Sequence, residues 1–566
     1  MTVSKLLQER LQNALQRIGI SFDEPLQIAA TTDPRHGDYQ TNVAMVLGKK
    51  LKQNPRNLAG LIVAEISVHD IGPPPEVAGP GFINFRLSKE FVDHRLHDLA
   101  LDQRLGVERT GKPKTVVIDF SSPNIAKPMH VGHIRSTILG DVLAKITRFL
   151  GHKVITDNHI GDWGTQFGKV IYGWKHLLLP ENLDADPVAE LVRIYREADT
   201  AAKKAPEILE ECRRELVKLQ QGDEENRRIW QRCVDLSIDE FSKIYDRLGV
   251  QFDFQLGESF YNPELPRVVR ELLECGLAEI SDGAAVVWDR TLGGDPFIIR
   301  KSDGGYGYAT TDIATLEYRW DRWRAEAIWY VVGAPQQLHF QQLFSLARRL
   351  GYEADLQHIA FGSILGEDRK LMRTRSGESI PLRTLLDEAV NRATAIVAEK
   401  NPELSEQDRL AIGEIVGIGA VKYAELSQHR MTDYIFSWDK MLSLQGNTAP
   451  YLQNAYVRCR SIFRKLPEPF TGETLFDLRE KAEFDLAKKI LLFPDVIPAI
   501  LDGFKPNLLA NYLYELAAEF HTFYESCPVL SAEPAVRETR LALCDVFSRL
   551  LRLGLELLGI QVPEKM

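Results

Sequence analysis

The sequence predicts an α/β fold: a doubly wound, mostly parallel sheet with a helical insertion, preceded by an α+β unit and followed by an all-α bundle. Three observations lead there. The run Thr115-Val116-Val117-Ile118-Asp119-Phe120 is almost continuously apolar, as a strand buried on both faces must be. A loop, a helix pattern over 134–150 closed by Gly151, and a second strand pattern at 153–156 follow it, which is the strand–loop–helix–strand order of a doubly wound sheet. From about residue 385 the apolar spacing is helical almost throughout.

Taken in order, the chain opens on an amphipathic helix. Leu6, Leu7, Leu11 and Leu15 recur at helical spacing with charges between them. A glycine-marked turn at His36-Gly37-Asp38-Tyr39, a helix over 42–51 and a strand-like stretch at 79–87 complete a first unit, residues 1–110, with a polar linker at 106–114. The catalytic-type fold is expected over 111–384. Within it, about 175–280 is long, charged and helical, an insertion between two halves of the sheet; strand patterns return at 285–288, 297–300, 327–332 and 358–361. A helical connecting segment, 385–448, and a terminal bundle, 449–566, follow, with helix patterns at 384–399, 408–426, 449–465, 480–493, 506–524 and 537–558.

Composition narrows the class. With 566 residues the chain holds about three or four domains. No run approaches the ~18 apolar residues of a membrane span, and the amino terminus has neither the apolar core of a secretory signal nor the arginine-rich, acid-poor character of a mitochondrial leader. Six scattered cysteines form no C-x-x-C pair, so neither structural zinc nor a disulfide framework is expected, and a reduced, cytoplasmic protein is. The net charge of −10 argues against a non-specific nucleic-acid coat but leaves room for an enzyme with a local basic track.

The chemistry concentrates after the first buried strand. His130-Val131-Gly132-His133 falls where a loop becomes a helix, and a helix amino terminus offers free N–H groups and partial positive charge to phosphate. Gly132 leaves room for an adenine ring against the backbone, and the histidines can donate to an α-phosphate as charge builds on it. A helix cap with surface histidines is the bland alternative for so short a motif.

The wider run, Ser121-Ser122-Pro123-Asn124-Ile125-Ala126-Lys127-Pro128-Met129-His130-Val131-Gly132-His133 and on to Asp141, resembles the signature of the arginyl-tRNA synthetases. So do 158–168, Tyr308-Ala309-Thr310-Thr311-Asp312, 445–453 and the ending 558–566, so the likeness spans the chain. The resemblance implies a class I synthetase Rossmann catalytic domain and an all-α anticodon-binding bundle. It implies activation of L-arginine by ATP with Mg2+ bound to the nucleotide, transfer to tRNA(Arg), and activation that itself needs bound tRNA. No protein-bound metal is expected, and the working unit is expected to be a monomer.

The resemblance also distributes roles. The second class I signature, K-M-S-K-S, is degenerate at Lys370-Leu371-Met372-Arg373-Thr374-Arg375, and Lys127 stands where many family members carry a compensating lysine. Lys127, His130, His133, Arg373 and Arg375 are therefore the expected catalytic groups. His130, Gly132, His133, His339 and Lys370 are expected to bind ATP. Asp119, Asn124, Tyr308, Asp312 and Gln336 are expected to bind arginine, whose guanidinium needs planar acceptors. Gly333 departs from the acid many members carry there. For tRNA the expected contacts are Phe82 and Asn84 in the first unit and Tyr456, Arg460 and Arg464, spaced by four on one helix face with Arg458 and Lys465 nearby; Tyr512, Tyr514, Phe520 and Tyr524 read mostly as core, with one or two of them left to reach bases. Two other readings stay open. One is another adenylyl-transferring H-x-G-H enzyme, which leaves the helical carboxyl region unexplained; the other is an inactive synthetase-like RNA-binding or assembly module, which the intact Lys127, His130, Gly132 and His133 oppose.

Overall fold

The computed structural model describes residues 1–21, 26–31, 33–370, 372, 379–471 and 475–566. The chain divides into two compact units: Met1–Arg109, Ser443–Glu556 and Gln561–Met566 form one, and Thr110–Leu442 with Leu557–Ile560 the other.

In the first unit the opening helix, Val3–Arg17, is capped by Thr2 and buries Leu7, Leu11 and Leu15, while Leu6 stays half-buried. A four-stranded antiparallel sheet follows, in the order Ala29–Ala30, Tyr39–Thr41, Phe82–Phe85, Glu76–Ala78. The amino-terminal part does not stand alone. Lys488 reaches Asp38 at 3.0 Å, and Arg549 donates to the carbonyls of Ala100 and Asp102 at 2.7 and 3.0 Å. These contacts tie it to the carboxyl helices Ala449–Phe463, Lys481–Leu491, Phe493–Ala499, Asn507–Ser526 and Pro534–Leu557.

The second unit holds the parallel sheet. Its strands lie in the order Asp355–His358, Ala327–Tyr330, Thr115–Asp119, Lys153–Asp157, all parallel. The register sets His358, Tyr330, Asp119 and Asp157 side by side at the carboxyl edge, where open α/β sheets place their ligands. Val117, Ile155 and Ile328 pack on one face against the helices Leu265–Glu274, Tyr308–Trp323 and Gln337–Arg349. Burying each such side chain stabilises the fold by ~1.5–3 kcal/mol.

The helical insertion is more extensive at its start than the sequence pattern suggests. It runs through Gln166–Leu177, Pro180–Ala185, Pro187–Lys204, Pro206–Gln221 and Glu224–Leu248. The strand patterns at 285–288 and 297–300 do not return to the parallel sheet. They form a separate antiparallel sheet, Glu279–Ser281, Ala284–Val287 and Phe297–Arg300. The reason is local: Asp282 and Gly283 both take positive φ, 48° and 79°, and make the tight hairpin that returns the chain on itself.

Candidate active site

The loop leaving the Thr115–Asp119 strand is held in an unfavourable shape. Ser121, Ser122 and Ala126 all take left-handed φ, 74°, 47° and 58°. Such residues cost ~1–3 kcal/mol each and persist only where their surroundings over-determine them. Here they do. The Ser121 amide donates to Ser136 Oγ at 2.8 Å, Ser122 to Asn158 Oδ1 at 3.0 Å, and Ala126 to Ser237 Oγ at 3.1 Å. Ser121 Oγ also lies 2.8 Å from both Thr137 Oγ1 and the Tyr245 hydroxyl. Ser237 and Tyr245 belong to the insertion helix Glu224–Leu248, so the insertion shapes the loop directly.

His130 is the amino cap of the helix Val131–Phe149. Its Nδ1 accepts from the Gly132 amide at 3.0 Å, while the His133 Nδ1 accepts from the His130 amide at 3.1 Å. Both Nδ1 atoms are therefore acceptors, which places the proton of each neutral ring on Nε2. Burial lowers both pKa values, that of His133 to about 3, with Lys127 adding repulsion at His130. The pair stands as two neutral Nε2–H donors with ring centroids 4.0 Å apart. A Cβ on Gly132 would come within 2.8 Å of the His130 ring, so the glycine is needed for the cap itself.

A cavity of about 240 Å³ opens at this helix start, lined by His130, Gly132, Gly333, Ser363, Met372 and Ser379 among others. The chain on the far side of the degenerate lysine motif docks here: the Val131 amide donates to Ile380 O at 3.0 Å and the Leu382 amide to Met129 O at 2.8 Å. Arg373 and Arg375 themselves lie outside the described residues. Lys370 is exposed, and its amide donates to Asp368 at 3.0 Å. Lys127 is exposed three residues before His130, and no hydrogen bond or ion pair engages it among the described residues. A Cβ on Gly333 would meet nothing closer than 3.6 Å, so no steric reason requires glycine there.

The stretch 158–168 runs beside the loop that carries Asn124: the Ile125 amide donates to Gly161 O and the Gly161 amide to Pro123 O, both at 3.1 Å. Asn124 bridges to Gly161, and a Cβ at Gly161 would come within 2.3 Å of Asn124 Oδ1, so that glycine lets Asn124 sit exposed at the site. Gln336 is exposed in the short turn Ala334–Gln336. Tyr308 and Asp312 occupy successive turns of the helix Tyr308–Trp323; Tyr308 is 71% exposed and Asp312 half-buried.

Two expected placements change. His339, expected to bind ATP, lies with its Nε2 2.5 Å from Oδ2 of Asp312, a residue expected to bind arginine. Asp119 is buried with both oxygens engaged, Oδ1 by Ser122 Oγ at 3.2 Å and Oδ2 by Arg319 at 2.6 Å, so it holds the loop and does not offer a free acceptor. One acid escaped the sequence reading altogether. Glu258, whose amide donates to Ile160 O at 3.0 Å, is pushed up to about 8 by burial, with Asp162 and Asp312 adding like-charge repulsion. Nothing in its local sequence marks it; only the fold sets it among those acids.

The residues expected to contact nucleic acid are also placed differently from that expectation. Tyr456 is 3% exposed and belongs to the bundle core with Leu452, Ala455 and Cys459. Arg460 lies over the Phe463 ring at 4.9 Å, and Arg464 donates to Glu564 O at 2.9 Å. Asn84 is 5% exposed and faces inward, while Phe82 is half-buried. A different group is presented: Tyr451 lies 5.5 Å from Tyr514 and 5.1 Å from His521, and Arg458 stacks over Tyr524 at 5.4 Å. Tyr451 with Arg458, and Tyr514 with His521, are each seven apart, one face on each of two helices.

The chain matches known families and relatives along most of its length. Residues 95–438 match the family described as tRNA synthetases class I (R), catalytic domain; residues 5–87 match the arginyl tRNA synthetase N terminal domain, and 452–566 the DALR anticodon binding domain. The chain is 45% identical to an arginine--tRNA ligase of Crocosphaera subtropica over 585 aligned positions, covering 100% of both. Among solved structures it is similar to the arginyl-tRNA synthetase of Plasmodium falciparum, TM-score 0.87 at 31% identity, covering 100% of this chain and 99% of that one. It is also similar to that of Thermus thermophilus, TM-score 0.84 at 26% identity, covering 100% of both.

Proposed function

The chain belongs to the arginyl-tRNA synthetase family, and from that premise we propose how its residues carry the reaction. The protein is an arginine--tRNA ligase of class I, ATP-dependent. The observation that carries the residue assignment is the pair of carboxyls Asp312 and Glu258, close enough to repel one another, with the exposed Tyr308 near enough to feel both. A guanidinium is planar and permanently charged, so two carboxylates flanked by an aromatic ring suit it.

In this reading Asn124 and Gln336 hold the α-amino and carboxylate end of arginine. The carboxylate attacks the α-phosphorus of ATP in line and pyrophosphate leaves, so no general base is required. The Nε2–H groups of His130 and His133 donate to the α-phosphate oxygens, and Lys127, with Arg373 and Arg375, offsets the charge passing to pyrophosphate. Gly132 borders the adenosine, and Lys370 stands at the phosphate end. Mg2+ arrives with the nucleotide, because phosphate oxygens suit it and it keeps several of its waters. The tRNA is bound by residues 1–110, through Phe82, and by 449–566, through the Tyr451, Arg458, Tyr514, His521 and Tyr524 cluster, since a basic aromatic surface suits unstacked bases. Residues 385–448 connect the catalytic part, 111–384, to that bundle. The working unit is read as a monomer. Six free cysteines support a reducing, cytoplasmic setting, and among the described residues no helix is long and apolar enough to cross a membrane.

Glu258 makes the pocket testable without catalysis. Its carboxyl is raised to about 8 in the empty site, so below that pH it is mostly protonated. An arriving guanidinium favours the ionised form and expels the proton. Arginine affinity therefore rises with pH, by up to roughly tenfold per pH unit, and levels off above about pH 8. Calorimetry in buffers of different ionisation enthalpy should register proton release below that pH, and Glu258→Gln should abolish both the release and the slope. A flat affinity profile in the parent enzyme would remove Glu258 from the pocket.

A further inference from the structure

We propose that Arg319 is a positioning residue for catalysis: from beneath the site it holds Asp119 and so keeps the strained 121–127 loop set for the adenylation step. This rests on the site reading above. Asp119 and Asp157 are registered neighbours on adjacent parallel strands, so their side chains project to the same side. Both are buried, and two ionised carboxylates so placed repel each other unless a cation stands between them. Arg319 is that cation. It is fully buried, and a single Nη2 donates to Asp119 Oδ2 at 2.6 Å and to Asp157 Oδ2 at 2.8 Å. Its guanidinium also lies over the ring of Tyr330, the next residue along the same register row, at 5.4 Å. One side chain thus pins the ends of three adjacent strands.

The two carboxylates then do different things. Asp119 Oδ1 accepts from Ser122 Oγ at 3.2 Å, and Ser122 is one of the left-handed residues that open the loop bearing Asn124 and Lys127. Asp157 makes no side-chain hydrogen bond to this loop among the described residues; its Oδ1 takes a long contact, 3.4 Å, from the Leu256 amide. The helix that carries Arg319 also carries Tyr308 and Asp312 on the same face, four and eleven positions being near whole turns. The helix therefore meets arginine at its amino end and sets the loop two turns further on. Loss of Arg319 should leave the pocket acids in place while freeing the loop.

Charge compensation alone predicts otherwise, and three variants separate the two. Asp157→Asn keeps the Arg319–Asp119 pair and should retain kcat for arginine-dependent pyrophosphate exchange, measured with saturating tRNA, to within about threefold. Arg319→Met with Asp157→Asn has the same net charge as the parent enzyme but leaves Asp119 unanchored. Its kcat should fall by about thirtyfold or more while KM for arginine moves by less than about threefold. Parent-like kcat in this double variant would overturn the proposal, because Arg319 would then only offset charge. Should the double variant lose its native circular dichroism, Arg319→Lys decides. It keeps the cation on a shorter, unforked arm, so a lowered kcat supports positioning and parent kcat refutes it. The broader reading fails by a different sign: the parent enzyme itself would show no exchange with arginine.

Discussion

Replacing Lys127 with alanine is expected to lower arginine-dependent pyrophosphate exchange by about a thousandfold, or ~4 kcal/mol of transition-state stabilisation. The adenylation step moves negative charge onto pyrophosphate, and the family's usual second lysine is replaced here by Thr374. Lys127 is exposed, unengaged among the described residues, and close enough to His130 to depress its proton affinity. Because no hydrogen bond or ion pair engages it among the described residues, the variant's stability should stay within the scatter of surface substitutions, about ±0.5 kcal/mol. The loss should therefore appear in kcat with the protein intact. Lys127→Arg should recover part of the rate. A Lys127→Ala enzyme with undiminished exchange would show that the degenerate loop supplies the charge unaided.

The second large effect is expected at Asp312. Asp312→Asn keeps size and an oxygen for His339 but removes the charge proposed to face the guanidinium. Truncating one partner of a buried, hydrogen-bonded charge pair costs about 2–5 kcal/mol, so KM for arginine should rise by roughly thirtyfold to several thousandfold. KM for ATP should change by less than about threefold, because the nucleotide is assigned to the cavity at His130 and Gly132. Equal increases in both constants would mean that Asp312 holds the site together and does not read the substrate.

Much of this was visible in the sequence where the physics is local. The apolar run at 115–120 and the helix start at His130 follow from short-range pattern and capping, and the structure has both, the strand as Thr115–Asp119. What the sequence hid depends on long-range pairing. Arg319 meets Asp119 and Asp157 across 200 and 162 residues, and no spacing rule joins them. Glu258 acquires its raised pKa because the fold buries it and sets Asp162 and Asp312 near enough to add repulsion. The Tyr456, Arg460 and Arg464 spacing was correctly helical, but periodicity gives a face without saying which way it points; Tyr456 falls on the core stripe, and the presented face carries Tyr451 and Arg458. The hairpin at Asp282-Gly283 was readable from its turn residues, yet the apolar strands around it suggested a return to the parallel sheet.

The central claim is that the acidic pocket and the histidine-bearing loop together select arginine and activate it for tRNA. Charging total tRNA with each amino acid in turn, alongside pyrophosphate exchange with and without tRNA, tests this most directly. We expect arginine alone to be esterified, and exchange to require both arginine and tRNA. Charging with lysine, or no charging with any amino acid, would contradict it.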